Sequence, residues 1–468
     1  MDELHWLSAT ELLAAYNSHA LSPVEVAEYL LGRIEALDAK INAFCLIDPE
    51  TTLAQAAASE QRWQEREPLG ALDGVPVAIK DLVLSKGWPT LRGSKTVSRD
   101  QPWDHDAPSV ARLREHGAVF IGKTTTPEFG WKGTNDAPLT GVTSNPWNLH
   151  KTPGGSSGGS GAALAAGFCP LAIGTDAGGS IRIPASFTGV FGLKPTFGLV
   201  AAWPASPFGT LAHLGPMTRT VEDAALFLEI VAEPDARDWY QQPFAEVDCL
   251  SELARGIKGA RIAFSPRLGW VKQVDPEVEQ LVALAAKRFG ELGAIVDQVD
   301  PPGGDPTSFF RTLYFSGAGF LLGDMPEEKL RLLDPNLCSL VEASRGITRK
   351  EFQQATAERA AYGASFKTFM QTYDFLLTPS TAVPAFDTPL VTPFDPNGQL
   401  WMEWTPFSYP FNLTQQPAAS ICCGFTRDGL PVGLQIVGRM GDDAGVLRAA
   451  RAFERLVDLS QRHPKDFA

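Results

Sequence analysis

The feature of this sequence that most restricts its fold is the alternation of strand-like and helix-like segments. Short apolar runs typical of buried strands occur at 118–121, 171–174, 261–264, 294–299, 375–378 and 432–437. Helical patterns lie among them at 221–231, 276–292 and 444–456. Because strands that alternate with helices pack as a sheet covered by helices, the pattern predicts an α/β fold with a largely buried sheet.

The N-terminal region is predicted to be helical. Residues 22–25 read SPVE, which combines a capping box with proline at the first helical position. Apolar residues then follow at helical spacing: Val26, Leu30, Ile34 and Leu37. This spacing predicts one apolar helix face that packs on the rest of the protein.

Composition and charge exclude several classes of function. The 468 residues carry a formal net charge of −14, whereas a nucleic-acid-binding protein needs a basic surface. No apolar run reaches the roughly 20 residues of a membrane-spanning helix, and the N-terminus does not resemble a secretory signal. The six cysteines are scattered without metal-ligand spacing, which favours reduced thiols. We therefore expect a cytoplasmic protein that binds neither nucleic acid nor membrane.

Two segments are predicted to be irregular. Residues 233–251 are polar and form a predicted linker between a catalytic half and a C-terminal half. Residues 384–403 contain four prolines and an Asn-Gly pair, which predicts a long loop. This loop contains Trp401, is followed directly by Trp404, and could form a lid.

The most informative stretch occupies residues 154–185 and reads GGSSGGSGAALAAGFCPLAIGTDAGGSIRIPA. A flexible linker would not continue into a helix-forming alanine run, a strand and a second Gly-Gly-Ser. A phosphate-binding loop would carry Gly-Lys followed by Ser or Thr, which is absent here. The stretch instead places glycine-bracketed serines on both sides of a helix and a strand.

Glycines around a serine are typical of a nucleophile. They permit unusual backbone dihedrals and let amide N–H groups approach a substrate oxygen. Residues 176–180 read DAGGS, so Ser180 is a candidate nucleophile beside a candidate oxyanion hole. Arg182 is a natural partner for Asp176, and that ion pair could hold the loop rigid.

A nucleophilic serine needs a base. None of the seven histidines lies in a motif of a known triad. Lys80 ends an apolar strand in which Val75, Val77 and Ile79 share one face, so its amine could point into the interior and lose its charge. A surface lysine paired with Asp81 fits the residues equally well, and the sequence alone leaves both alternatives open.

These motifs resemble the amidase signature family over roughly residues 10–455. The glycine- and serine-rich stretch matches the family signature, and GVPVAIKD at 74–81 is similar to its lysine motif. Further landmarks occur in the family order: LKPT at 193–196, LTP at 377–379 and GLPVGLQ at 429–435. The resemblance implies a single α/β/α domain with a large mixed central β-sheet covered by helices. We assign that domain to 1–468, with an N-terminal helical region at about 8–70, a catalytic core at about 71–232 and a C-terminal half at about 252–460.

The resemblance also implies the roles of individual residues. The family triad carries over to Ser180 as nucleophile, Ser156 as bridging serine beside a cis peptide bond, and Lys80 as base. The implied oxyanion hole consists of four backbone amides: Ala177, Gly178, Gly179 and Ser180. Ser157 corresponds to a supporting serine, together with Asp176 and Arg182.

The expected activity is hydrolysis of a carboxylic amide through an acyl-enzyme, without metal or cofactor. Clustered aromatic residues predict an apolar or aryl amide substrate, with five candidate pocket residues: Phe129, Trp131, Trp203, Trp401 and Trp404. Within the family, the alternative is the glutaminase subunit of a tRNA-dependent amidotransferase. From a different class, a non-catalytic scaffold of the same fold is the rival. The expected partner is a small-molecule amide, and the resemblance also allows a homodimer.

Overall fold

A computed structural model describes residues 4–242, 248–395, 397–398 and 400–468. Part of the predicted linker, residues 243–247, lies outside the described residues, as do residues 396 and 399 of the predicted loop. The described part of the chain contains 13 strands and 14 α-helices.

The strands are short, and five of them, β2, β3, β7, β11 and β13, are buried along their whole length. Their bounds are β1 Phe44–Leu46, β2 Pro76–Lys80, β3 Val119–Thr124, β4 Asp136–Ala137, β5 Gly141–Val142, β6 Leu171–Asp176, β7 Phe191–Lys194, β8 His213–Thr218, β9 Arg261–Phe264, β10 Ile295–Gln298, β11 Phe375–Pro379, β12 Ala418–Phe425 and β13 Pro431–Gly438.

The helices range from one turn to about six turns. Their bounds are α1 Ala9–Asn17, α2 Pro23–Leu37, α3 Pro49–Glu65, α4 Pro108–Glu115, α5 Gly158–Ala165, α6 Arg182–Thr188, α7 Val221–Val231, α8 Pro276–Glu291, α9 Thr307–Leu322, α10 Glu327–Leu330, α11 Pro335–Ser344, α12 Arg349–Phe369, α13 Pro410–Leu413 and α14 Asp443–Val457. None of these helices is long and apolar enough to cross a bilayer.

Eleven of the strands form one mixed sheet in the order β1-β3-β2-β6-β8-β7-β12-β13-β11-β9-β10. Strands β3, β2 and β6 run parallel, as do β11, β9 and β10. Antiparallel pairs join these two groups through β8, β7, β12 and β13. The sheet thus runs without a break through the predicted catalytic core and the C-terminal half. The division of the chain into three parts stays a prediction.

All six predicted strands and all three predicted helices are present. The predicted runs 261–264 and 221–231 agree with β9 and α7 at both ends, and the others differ by a few residues. The sequence patterns did not single out β1, β7, β8 and β12, the antiparallel strands that complete the sheet. β7 contains a glycine and a lysine and β8 a glycine and a proline, so neither forms a continuous apolar run.

Both faces of the sheet are covered by helices. Val77 and Ile79 of β2 belong to one apolar core with residues of α7, α8 and α14, and Ala78 belongs to another with residues of α2 and α5. The predicted sharing of one face by Val75, Val77 and Ile79 is therefore confirmed. This alternation within a doubly covered sheet gives the α/β/α arrangement.

Helix α2, in the predicted N-terminal helical region, begins at the predicted capping box. Ser22 caps α2 through its side chain, which accepts from the Glu25 amide, while the Glu25 carboxylate accepts from the Ser22 amide. The predicted stripe is buried at Val26, Leu30 and Ile34. α2 therefore packs its apolar face against the sheet and against α3.

The predicted loop at 384–403 has no helix or strand among its described residues up to residue 400. A short 3-10 helix then spans Trp401–Trp404. The lid interpretation is wrong for the two tryptophans, because Trp401 and Trp404 are 3% and 0% exposed. The Trp404 ring stacks on Phe187 of α6, and its indole nitrogen donates to the Val391 carbonyl at 2.9 Å. These rings anchor the segment in the core.

Candidate active site

Lys80 is the last residue of β2, the middle strand of the parallel group β3-β2-β6. Its side chain is completely buried, which excludes the surface alternative. Its Nζ atom lies 2.8 Å from Ser156 Oγ, 2.9 Å from Ser157 Oγ and 2.8 Å from Thr175 Oγ1. Asp81, the partner in the surface alternative, instead pairs with Lys123 at 3.2 Å. The fold therefore presents the Lys80 amine to three hydroxyls.

The surroundings of Lys80 favour its neutral form. Burial lowers the pKa of Lys80 well below its ordinary value, and the negative charge of Asp176 opposes this only in part. The hydrogen bonds are consistent with a neutral amine. Ser157 Oγ can donate its proton to the Thr175 carbonyl at 3.3 Å, so it accepts from Lys80. If Thr175 Oγ1 also accepts, the Lys80 lone pair is left to accept from the Ser156 hydroxyl.

The two glycine-bracketed segments meet through the backbone. The Gly155–Ser156 peptide bond is cis, and α5 begins two residues later. The amide of Ser157 donates to the Ser180 carbonyl at 3.1 Å, which joins the two serine loops. Ser156 and Ser180 line the same cavity. Ser180 Oγ forms no hydrogen bond with any described residue, so it is open to a ligand.

The loop from 177 to 180 connects β6 to α6 and presents backbone amides. The amides of Ala177, Gly178 and Ser180 have no acceptor among the described residues. The Gly179 amide, by contrast, donates to Asp176 Oδ1 at 2.7 Å. The amides available to a developing oxyanion in this structure are therefore three of the four that the resemblance implied.

Asp176 and Arg182 hold this loop in place. Arg182 Nε and Nη2 lie 2.9 Å from the two Asp176 oxygens, and neither residue is exposed. The guanidinium also donates to the Ser408 carbonyl, Gln435 and Asn412. Burial opposes ionisation of Asp176, but the charges of Arg182 and Lys194 and the hydrogen bonds from Arg182 and Asn412 together outweigh it and lower the pKa of Asp176. A fully hydrogen-bonded ion pair thus fixes both ends of the loop.

A cavity of about 300 Å³ opens above the serines, with walls that are mostly apolar. Phe129 and Trp203, two of the five predicted pocket residues, line it. Further apolar walls come from six residues outside the predicted set of five: Leu82, Leu84, Phe197, Phe208, Phe320 and Leu321. The cavity can hold a small apolar group next to Ser180.

The other three predicted pocket residues, Trp131, Trp401 and Trp404, do not line this cavity. They are at most 3% exposed and belong to a core behind the site. A Cβ atom added at Gly178 would lie 2.6 Å from Trp401 Cη2, so this ring packs directly against the glycine loop. Because the loop lacks side chains, large rings fill the volume behind it instead of contacting the cavity.

His213 and Arg92 also line the cavity, although neither was predicted from the sequence as a site residue. His213 Nδ1 lies 2.8 Å from the Leu211 carbonyl, which only accepts, so this nitrogen carries the proton. Burial lowers the pKa of His213 well below its ordinary value, and the Lys194 charge adds to the effect. No motif surrounds either residue. His213 reaches the site because β8, which it begins, pairs with β6. Arg92 reaches it because the loop after β2 passes beside Phe129.

None of the described residues forms a group of three or more acidic, histidine or cysteine side chains that could hold a metal. The consecutive residues Asp104, His105 and Asp106 lie at the surface, and Asp106 pairs with Arg114 at 2.8 Å.

Comparison with known proteins agrees with this geometry. A family model described as Amidase matches residues 25–447. The chain is 40% identical to an acylamidase of Rhodococcus erythropolis over 99% of its own length and 98% of that protein. It is 36% identical to one of the subunits of glutamyl-tRNA(Gln) amidotransferase from Myxococcus xanthus, over 97% of this chain and 98% of that one.

Solved structures show the same fold. A bacterial aryl acylamidase of the amidase signature family superimposes with a TM-score of 0.92 at 30% identity, over 99% of this chain and 98% of that one. 6-Aminohexanoate cyclic dimer hydrolase superimposes with a TM-score of 0.90 at 28% identity, over 99% and 100% of the two chains. The chain described here therefore belongs to the amidase signature family and is a hydrolase of amide bonds.

Proposed function

We propose that the chain hydrolyses apolar or aryl carboxylic amides through an acyl-enzyme on Ser180. Ser156 relays protons and Lys80 is the base. The observation that carries the proposal is the buried Lys80 amine, which lies 2.8 Å from Ser156 Oγ in a site where burial lowers the pKa of the lysine. A neutral amine in contact with a hydroxyl is the arrangement that general-base activation of a serine requires.

The reaction proceeds by two acyl transfers. As Ser180 Oγ attacks the amide carbonyl, its proton passes to Ser156 and the Ser156 proton passes to Lys80. The C–N bond then breaks, and the proton returns from Lys80 through Ser156 to the leaving amine. Water then attacks the acyl-enzyme and gives its proton to Lys80 through Ser156. The proton returns through Ser156 to Ser180 Oγ as the acid leaves, which restores Ser180 and the neutral amine. Each step conserves protons, so the site needs no further acid or base.

The oxyanion of each tetrahedral intermediate is proposed to lie at the amides of Ala177, Gly178 and Ser180. These donors are held in position by the Asp176–Arg182 pair before substrate arrives. Donors fixed in advance stabilise developing charge without reorganisation, and one such donor contributes about 10²–10³ in rate in other acyl-transfer enzymes. The rigid loop thus supplies a large part of the expected acceleration.

The apolar walls of the cavity support an apolar or aryl substrate. Phe129, Trp203 and Phe208 offer aromatic surface in the cavity that the two serines also line. The named activity of the acylamidase and aryl acylamidase relatives is in the same class. A small polar amide would leave these walls uncovered and lose their contribution to binding.

The proposal is tested by replacing the nucleophile. Ser180→Ala is expected to reduce kcat for 4-nitroacetanilide to background, since loss of the nucleophile in another serine hydrolase costs about 10⁶. Ser98→Ala, a change at an exposed serine, is the matched control and should retain wild-type activity. A fluorophosphonate should label the wild type and the control but not Ser180→Ala. Turnover by Ser180→Ala near the wild-type rate contradicts the assignment.

A role as the glutaminase of an amidotransferase is the second candidate, because several relatives at 33–36% identity are components of such enzymes. Initial rates for 4-nitroacetanilide, an aliphatic amide and glutamine separate the two functions. A clear preference for glutamine would exclude the apolar-amide proposal. A homodimer and a cytoplasmic location stay predictions, and light scattering of the purified protein checks the first.

A further inference from the structure

Arg92 is an unusual residue to find in the wall of the catalytic cavity. It lines the cavity together with Ser156 and Ser180, and it also borders a surface groove beside Trp103 and His105. Among the described residues, its guanidinium has no hydrogen bond and no carboxylate within 4 Å. Burial lowers the pKa of Arg92, although a guanidinium remains charged in proteins.

The acidic group that acts electrostatically on Arg92 does not compensate this charge. Asp81 acts on Arg92 electrostatically, but Asp81 already pairs with Lys123 and accepts from the Leu91 amide. Asp238, at the cavity mouth, accepts from the amides of Ala202 and Tyr240. A partly buried cation without a close partner is unfavourable in the free protein, and an anion on a ligand would relieve this cost.

The backbone of Arg92 adjoins the cavity wall beside Ser156. The Phe129 amide donates to the Arg92 carbonyl at 2.8 Å, and Gly130 follows Phe129. A Cβ at Gly130 would lie only 3.2 Å from Ser156 Oγ, so this wall adjoins the bridging serine. The inference rests on the proposed function at this point, since Ser156 delivers the proton to the leaving nitrogen.

The backbone supports a constrained position for this wall. Arg92 and Phe129 have φ values of 57° and 52°, in the left-handed region that non-glycine residues rarely adopt. Such conformations persist where the surrounding structure holds them, and they are enriched in ligand-binding segments. The hydrogen bond between the two residues holds both at the cavity wall.

We propose that Arg92 is a specificity-determining residue that binds a carboxylate on the amine part of the substrate. The favoured substrates are then amides of amino-substituted carboxylic acids, with N-acylaminobenzoates as the aryl example. The guanidinium binds the carboxylate through paired N–H groups, while Phe129 and Leu82 contact the apolar part of the amine between the carboxylate and the scissile bond.

The test compares 4-acetamidobenzoate with 4-nitroacetanilide, in which a neutral nitro group of similar shape replaces the carboxylate. Arg92→Met is expected to lower kcat/KM for the carboxylate substrate by about tenfold to a hundredfold, the range of a charge-assisted hydrogen bond. Activity on the nitro substrate should stay within about threefold of the wild type, by the same reasoning. Arg92→Lys should retain part of the preference. Arg99→Met removes an exposed positive charge from the same loop and should change neither substrate.

An equal effect of Arg92→Met on both substrates, or no effect on either, overturns the proposal. A second measurement does not need turnover: calorimetric binding of the product 4-aminobenzoate to Ser180→Ala, with and without Arg92→Met. Binding weakened by Arg92→Met supports the anion site even if the wild type hydrolyses neither substrate. A wild-type protein that hydrolyses neither substrate and is not labelled by fluorophosphonate would contradict the acyl-enzyme proposal, not the anion site.

Discussion

Replacing Lys80 by methionine tests the central physical claim, that a buried neutral amine drives the chemistry. Methionine has nearly the same length and is apolar, so it fits the buried position but has no lone pair. Ser156 then has no base, and the hydroxyls of Ser157 and Thr175 lose one partner each. Because general-base catalysis contributes about 10²–10⁴ in rate, Lys80→Met is expected to lower kcat/KM by about that factor. This corresponds to roughly 3–5 kcal/mol of transition-state stabilisation at 1.36 kcal/mol per tenfold.

The matched control is Thr175→Val, which removes one acceptor of Lys80 and keeps the base. One neutral hydrogen bond contributes about 0.5–1.5 kcal/mol, so kcat/KM should fall only about twofold to twelvefold. The assay is hydrolysis of 4-nitroacetanilide between pH 5 and 10, with circular dichroism to verify folding. Fluorophosphonate labelling of Ser180 should slow more in Lys80→Met than in Thr175→Val, since labelling depends on the same activation of the hydroxyl.

The pH profile gives a second result with a definite sign. Lys80 acts only when neutral, so wild-type kcat/KM should rise as pH increases through its lowered pKa. The Lys80→Met profile should lack this rise and stay low throughout. Activity of Lys80→Met within tenfold of the wild type, or an unchanged rising limb, would refute a role of Lys80 as base.

Two further predictions concern the loop that carries the amides. Asp176→Asn should lower the free energy of unfolding by about 3–5 kcal/mol in urea titrations, because Arg182 is left buried without its charge partner; a change below 1 kcal/mol would show that the other Arg182 contacts suffice. Gly178→Ala should reduce kcat by about 10²–10³, since the new methyl group meets Trp401 at 2.6 Å and displaces the amides. Adding Trp401→Leu to Gly178→Ala makes room for that methyl group and should recover part of the rate, and no recovery would contradict the steric explanation.

The sequence was informative where local rules and glycine-rich motifs act. The capping box set the start of α2, and the alternation in β2 placed Val77 and Ile79 opposite Ala78. The glycine-bracketed segment at 176–180 indicated Ser180 as a candidate nucleophile, and the family resemblance added Ser156 as the bridging serine. These signals depend on residues close together in the chain, so they can be read without tertiary contacts.

The tertiary structure decided the burial of Lys80 and the identity of the cavity walls. From the sequence, a buried base and a surface lysine were equally acceptable, and only the covered sheet made the amine inaccessible to water. Trp401 and Trp404 were predicted to contact substrate, yet they fill the core behind the loop. Arg92 and His213 reach the cavity from distant segments. Burial and proximity arise from packing between segments far apart in the chain, and a motif does not encode them.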